Sequence, residues 1–243
     1  MIHHGERVDD LQFKGLKMIQ DPKKFCFGMD AVLLSSFVEL RKKEKVVDFG
    51  TGTGIIPLLL HGRFPEATFT AFEIQKDMAD MARRTVAMNG LENSIYIVNE
   101  DLRKAPQILS HLSQNVVVCN PPYGKKGTTI PSQTNSVALA RHETDCTLAQ
   151  LLKSAQLLLK GHGRLYMVFP ANRMLELTEG MRQEKIEPKR LRFVYPKATK
   201  APYLLLVEGV KGAKVGLKWE KPLIVYDDRG EETEEIRKIY HKE

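Results

Sequence analysis

The chain has 243 residues, 42% of them hydrophobic and 28% charged, which gives room for one α/β domain with a full core and crowds out a second large one. Lysine and arginine number 37 against 30 acids, a net +7, and such an excess speeds encounter with polyanions without saying anything about fold. The three cysteines, Cys26, Cys119 and Cys146, show no metal-ligand spacing, which excludes a disulfide framework and a zinc site and suits a reducing cytoplasm. No apolar h-region occurs between Met1 and Gln20, and no apolar run reaches bilayer length, so neither a signal peptide nor a membrane span is expected.

Residues 1–44 precede any regular alternation and contain a helix starting at Asp30 and running to about Leu40. From Lys45 onward short apolar strands alternate with helical stretches, the pattern of a doubly wound, mostly parallel sheet with helices on both faces. Strands are predicted at 45–49, 67–74, 94–99 and 116–119, separated by helices at 55–61, 76–89 and, shorter, 106–112. The run at 116–119 is continuously apolar, as a strand buried on both faces should be. Thr147, with Gln150 at capping-box spacing, starts a helix through Leu159 that Gly161 and Gly163 end. A fifth strand follows at 164–169 and a helix at 174–184. Strands at 189–195 and 203–209 are close enough in sequence to pair as an antiparallel edge. The segment 223–243 reads as a short strand, a turn at 227–230 and a charged helix. Residues 124–135, rich in Gly, Lys, Thr, Ser and Pro, are expected to form a mobile loop.

The first strand turns into the first helix through Val46-Val47-Asp48-Phe49-Gly50-Thr51-Gly52-Thr53-Gly54. Glycines at Gly50, Gly52 and Gly54 let the backbone come close to a ligand, and in open α/β sheets ligands sit beyond the carboxyl ends of the strands. Ile55 stands where a dinucleotide fingerprint would need its third glycine. The D-x-G-x-G-x-G spelling, with Asp48 and Thr51 in it, instead resembles motif I of class I methyltransferases, which bind S-adenosylmethionine. Glu73 ends the second strand, about twenty residues past the glycines, where a carboxylate can accept both ribose hydroxyls. Asp101 follows the third strand, where methyltransferases place an acid against the cofactor's adenine amino group, with Leu102 available to pack on that ring. Each acid alone reads equally as a strand-end or helix-cap residue.

The fourth strand ends in Asn120-Pro121-Pro122-Tyr123. This tetrapeptide resembles the [DNS]-P-P-[YFW] motif of amino-methyltransferases acting on adenine N6, guanine N2 or glutamine amides. Such a nitrogen is a poor nucleophile because its lone pair is delocalised. The Asn120 side-chain oxygen and the Pro121 carbonyl can accept its two N–H bonds and localise that pair, with Asn120 also bordering the cofactor. Two prolines stiffen the turn and offer no competing N–H. Tyr123 offers a ring on which a base could stack, typically worth about 1–3 kcal/mol.

Over nearly its whole length the chain is similar to the bacterial tRNA(valine) adenine-N6 methyltransferases. The match includes Gln20-Asp21 with Phe27-Gly28-Met29-Asp30-Ala31-Val32-Leu33-Leu34, Ala140-Arg141-His142-Glu143, Arg192-Phe193-Val194-Tyr195-Pro196 and Pro222-Leu223-Ile224-Val225-Tyr226. The resemblance implies a Rossmann-like class I methyltransferase: a seven-stranded, mostly parallel sheet with an antiparallel edge strand. Residues 45–243 form that domain, and 1–44 an extension packed over the cofactor site within one globular unit. It also implies methylation of the adenine 3′ of the anticodon, with tRNA as partner, no metal, no membrane and a monomeric state. The segment around 27–30 would cover the methionine end of the cofactor, although Asp30 reads equally as the N-cap of its helix. Arg141 and His142 could order the preceding loop or touch a phosphate. Lys125, Lys126, Arg190, Arg192, Lys197 and Lys200 would form a basic rim, for which scattered surface charge is the plain alternative. The competing acceptor is the glutamine amide of a release factor, then an amino group of rRNA or DNA; a nicotinamide oxidoreductase would leave Asn120–Tyr123 unexplained.

Overall fold

The computed structural model describes residues 2–24, 26–121 and 146–242. The loop expected at 124–135, together with Pro122, Tyr123, Lys125, Lys126, Arg141 and His142, lies outside the described residues. The chain opens with β1 (Arg7–Asp10), β2 (Lys17–Gln20) and α1 (Met29–Phe37). The alternation then runs β3 (Lys45–Phe49), α2 (Ile55–Arg63), β4 (Thr68–Phe72), α3 (Lys76–Met88), β5 (Ile95–Val98), α4 (Ala105–Leu109) and β6 (Gln114–Cys119). After the undescribed stretch come α5 (Leu148–Leu158), β7 (Leu159–Pro170), α6 (Met174–Gln183), β8 (Ile186–Tyr195) and β9 (Leu204–Lys211). Two-residue strands β10 (Lys218–Trp219) and β11 (Leu223–Ile224) and helix α7 (Glu234–Ile239) complete it. Among the described residues no helix is long and apolar enough to cross a membrane.

The main sheet runs β10-β8-β9-β7-β6-β3-β4-β5, with β11 also on β8. Neighbours from β5 across to β7 pair in parallel. β9 is antiparallel to both β7 and β8, so β8 points the same way as the parallel strands and its end at Tyr195 shares their carboxyl edge. The seven strands of the expected sheet are all there, the short strand expected from Leu223 is β11, and β10 further extends the edge.

Continuous apolar runs became central strands because both faces are covered. Val46, Val116, Val118, Tyr166 and Val168 face a core built with α1, α2 and Ile236 of α7. Val47, Val117, Cys119, Leu165, Met167 and Phe169 face a second core built with α5 and α6. Alternate residues of one strand thus enter opposite cores, and each large side chain so buried stabilises by about 1.5–3 kcal/mol.

The hairpin β1–β2 is not expected from the sequence, because Arg7–Asp10 and Lys17–Gln20 lack apolar alternation. What holds it is α3. The Ile19 N–H donates to Thr85 Oγ1 at 3.1 Å, the Lys17 N–H to Asn89 Oδ1 at 2.9 Å, and Asn89 Nδ2 returns a bond to the Lys17 carbonyl at 2.7 Å. The Arg84 guanidinium grips both Glu6 oxygens at 2.6 Å.

Three local expectations are corrected. α1 starts at Met29 with Gly28 as its cap, so Asp30 is inside the first turn, where its Oδ1 accepts from the Ala31 N–H at 3.0 Å. The capping box at Thr147 and Gln150 forms, but α5 ends at Leu158 without Gly161 or Gly163. Those glycines fall within β7, whose pairing with β6 skips from Gln114↔Leu159 to Val116↔Arg164. The intervening loop-out sets His162 at φ +60°, which its glycine neighbours help to accommodate.

Glu6 shows what the hairpin contributes. The Arg84 hydrogen bonds pull its carboxyl down from 4.5 to about 2, against burial. Because the folded value lies below the ordinary one, the stabilisation is present above pH 4.5 and lost as pH falls toward 2. Glu6→Gln is expected to cost about 1–2 kcal/mol at pH 7, with the gap to wild type closing across that acid window; urea unfolding at a series of pH values measures it.

Candidate active site

β3 lies between β4 and β6. The chain leaves β3 toward β4 and β5 on one side and resumes at β6 and β7 on the other, so the connections diverge and a crevice opens beyond the strand ends. The turn from Gly50 to Gly54 makes one wall and Asn120–Pro121, at the end of β6, the other. The register Phe49↔Cys119 and the 3.4 Å approach of Cys119 Sγ to the Phe49 carbonyl hold the walls together.

The glycine turn has a conformational reason. Gly50, Gly52 and Gly54 sit at φ +71°, +57° and +90°, left-handed values that cost a residue with a Cβ roughly 1–2 kcal/mol. The N–H groups of Gly50 and Thr51 donate to the Phe72 carbonyl at 2.9 and 3.0 Å, fastening the turn to the end of β4, and Gly54 caps α2.

Asp48 is 1% exposed, and among the described residues neither of its oxygens, nor the Thr51 hydroxyl, makes a hydrogen bond of ordinary geometry. Burial pushes its carboxyl up to about 7, the Thr51 hydroxyl opposing and the Glu73 charge adding to the rise. Glu73 is also buried; its Oε2 accepts from the Gly52 N–H at 2.9 Å and its Oε1 from the Gln75 N–H at 3.0 Å. Burial raises its carboxyl while those N–H groups restrain the rise. Glu73 therefore joins the β4 end to the glycine turn, with acceptor capacity left on each oxygen.

Asn99, which sequence reasoning missed, donates from Nδ2 to the Glu73 and Ile74 carbonyls at 2.8 and 3.0 Å and so clamps the ends of β4 and β5. Its only prior signal is an amide at a strand end. Asp101 is at the expected strand end, but its carboxylate accepts from the Arg103 N–H at 2.8 Å and from Arg103 Nε at 2.9 Å. The Arg103 bonds hold its pKa below the usual value. Leu102 packs on the α5/α6 core. On the other face, the Tyr203 hydroxyl lies 3.7 Å from Met29 Sδ, tying the start of α1, where Asp30 sits, to the loop before β9.

The expected basic rim divides. Arg190 lies mid-strand, its guanidinium 4.0 Å from the Phe37 ring centre and bonded to Glu208 at 2.7 Å and Glu220 at 3.0 Å. Burial works against its charge, but those carboxylates outweigh it. Arg192 is bonded to both Glu235 oxygens at 2.7 and 2.8 Å and to the Lys221 carbonyl at 2.9 Å. These two arginines hold the C-terminal segment. Lys197 and Lys200 do lie in the loop after β8, on the carboxyl edge, and Lys197 Nζ is 3.5 Å from the Asp228 carbonyl.

Residues 27–187 match the model of the methyltransferase small domain. The chain belongs to that family. Among curated relatives, the tRNA1(Val) (adenine(37)-N6)-methyltransferase of Tolumonas auensis is 30% identical over 206 residues, 80% of each chain. That of Parabacteroides distasonis is 29% identical over 198 residues, 81% of each chain. Among solved structures, a predicted O-methyltransferase of Agrobacterium tumefaciens superposes with a TM-score of 0.70 at 19% identity, covering 88% of this chain and 96% of its own. A SAM dependent methyltransferase of Aquifex aeolicus gives 0.54 at 17% identity, over 73% of this chain and 87% of its own. At these identities the structures speak for the fold, which is that of class I methyltransferases.

The buried Asp48 gives this family member a pH signature. A carboxyl raised from 3.8 to about 7 favours the folded protein most below pH 4, and that contribution is lost as pH rises through 7. Asp48→Asn should remove this dependence, so that its stability relative to wild type improves between pH 5 and pH 8 by on the order of a few kcal/mol; thermal melting of both proteins at the two pH values is the measurement.

Proposed function

We propose that this chain transfers a methyl group from S-adenosylmethionine to the N6 of an adenine in tRNA, the adenine at position 37 of a valine tRNA that its curated relatives are named for. The observation that carries the reading is the placement of Asn120 and Pro121 directly across the β3–β6 crevice from a left-handed glycine turn.

The residues present fit the cofactor. Glu73 offers a carboxylate with free acceptor capacity for two vicinal ribose hydroxyls, and the glycine turn lets backbone N–H groups approach a ligand without a Cβ in the way. Asp48 and Thr51 supply buried polar atoms that make no hydrogen bond of ordinary geometry among the described residues. Asp101 and Leu102 flank the adenine position, with Arg103 setting the orientation of Asp101. Residues 27–30, with Asp30, cover the methionine end, and in this reading the first 44 residues serve as that cover. When bound, the cofactor supplies an electrophilic methyl group.

The chain's own part is positioning. Asn120 Oδ1 and the Pro121 carbonyl accept the two N–H bonds of the target amino group and turn its lone pair toward the methyl. Pro122 has no N–H to compete for those acceptors, and Tyr123 offers its ring to the base. Holding donor and acceptor in line lowers the barrier without a strong general base. Lys125, Lys126, Arg141, His142, Lys197 and Lys200 meet the RNA backbone. An adenine paired in a stem hides its N6, so a splayed loop base is the substrate, and a tRNA substrate sets the work in the cytoplasm.

Incubation with labelled S-adenosylmethionine and unmodified total tRNA, followed by nucleoside mass spectrometry, should yield N6-methyladenosine; label only in a release factor or in rRNA would overturn the substrate. Asn120→Ala should lower single-turnover methylation at least about a hundredfold, the usual cost of one lost transition-state hydrogen bond, while calorimetric cofactor affinity stays within a few-fold of wild type. Retained turnover would remove Asn120 from its role. Glu73→Ala should instead raise the cofactor Kd by roughly ten- to a hundredfold, the range for hydrogen bonds to a charged group; an unchanged Kd would contradict the ribose assignment.

A further inference from the structure

The chain's single tryptophan, Trp219, is 57% exposed on the edge strand β10. One face of its indole stacks on Phe193, with ring centres 6.0 Å apart and planes 23° apart. Phe193 is not isolated. It pairs with Leu205 across β8 and β9, and Leu205 pairs with Phe169 of β7. Since Met167 pairs with Cys119, Phe169 is level with Pro121, two residues on. One row of the sheet, on the α5/α6 face, therefore runs from the end of β6 through Phe169, Leu205 and Phe193 to the exposed indole. Tyr195 lies edge-on to Phe193 at 6.5 Å, one step nearer the carboxyl edge.

The segment that carries this indole is rich in lysine. Lys214 and Lys221 are exposed, whereas Lys218, paired with Arg190, leaves the strand on the opposite face. The sole acid between them, Glu220, is bonded to Arg190 at 3.0 Å. Val215 and Leu217, 77% and 38% exposed, enlarge the apolar surface beside the lysines. An exposed aromatic face on a lysine-rich segment is the arrangement that binds unpaired nucleotides, by stacking on the bases and neutralising the phosphates.

We propose that Trp219, seated on Phe193, is a stacking platform for an unpaired base of the RNA substrate, with Lys214 and Lys221 on the adjoining phosphates. This rests on the tRNA methyltransferase reading and names a surface for it outside the methyl-transfer crevice. The row through Phe193 and Phe169 ties the platform rigidly to the strand end that carries Asn120, so a base held on Trp219 fixes the distance to the target adenine.

Because Trp219 is the only tryptophan, its emission reports this surface alone. Titrating the wild-type protein with an unmodified tRNA transcript should quench that emission saturably, with a midpoint matching the KM for methylation. Trp219→Ala should raise KM roughly tenfold and leave kcat and cofactor affinity unchanged, and Trp219→Phe should restore most of the loss. Lys214→Ala with Lys221→Ala should reduce the salt slope of binding by about one per lysine.

The outcomes separate the two readings. Normal methylation with unmoved emission and unchanged Trp219→Ala kinetics overturns the platform and leaves the activity standing. Quenching by tRNA with no methyl transfer supports the platform and overturns the activity. Neither quenching nor transfer overturns both. A concentration-dependent blue shift without RNA, accompanied by dimers in sedimentation, overturns the platform in favour of a second copy of the chain.

Discussion

The parallel pairing of β3 with β6 sets the distances on which the site depends. Four consecutive register pairs, from Val46↔Val116 to Phe49↔Cys119, bring two segments some seventy residues apart in sequence to adjacent strands. They make Gly50 and Asn120 the next residues on each. Both strands are buried on both faces, so a slip of one residue would exchange every side chain between two cores of different shape. The crevice width is therefore set by the packing of valines and Cys119 rather than by the turns that line it.

Two carboxylates sit in that rigid frame at an energetic cost. Asp48 and Glu73 are both buried, and burial raises both pKa values. Glu73 offsets part of the cost through two backbone N–H donors, one of them from the glycine turn itself. Asp48 has only the Thr51 hydroxyl to oppose its burial, and no hydrogen bond of ordinary geometry among the described residues. A domain of this size keeps only a small net stability, so a poorly compensated buried acid beside the glycine turn is a costly feature of the fold, of the kind that clusters at functional sites.

How much of this could be read in advance follows from where the stabilising contacts lie. β3, β6 and β7 were legible because a strand buried on both faces must be apolar throughout. The strand-end acids were legible because a parallel sheet puts all such ends on one edge. The β1–β2 hairpin was not, since its support comes from Thr85, Arg84 and Asn89 on a helix far along the chain. Asp101 was placed correctly, but its capture by Arg103 depends on a turn of 3-10 helix at Leu102–Lys104 that residue type alone does not announce. The glycines at 161 and 163 were misread as a helix stop because a loop-out within a strand carries the same residues.

Arg190 shows the limit of charge counting most sharply. Its formal charge placed it among residues for a polyanion, yet its guanidinium lies flat on Phe37 and between Glu208 and Glu220. Removing it from the RNA surface gives it a larger structural task. It joins α1, β9 and the residue after β10, and Lys218 pairs with it across the strand edge. The neighbouring Trp219 is thereby held in register with Leu191, over the Phe193 ring. Neutralising Glu220 also leaves the lysines on either side as the dominant charge of that edge. The ion pairs of Arg190 thus hold the edge strand that carries the indole.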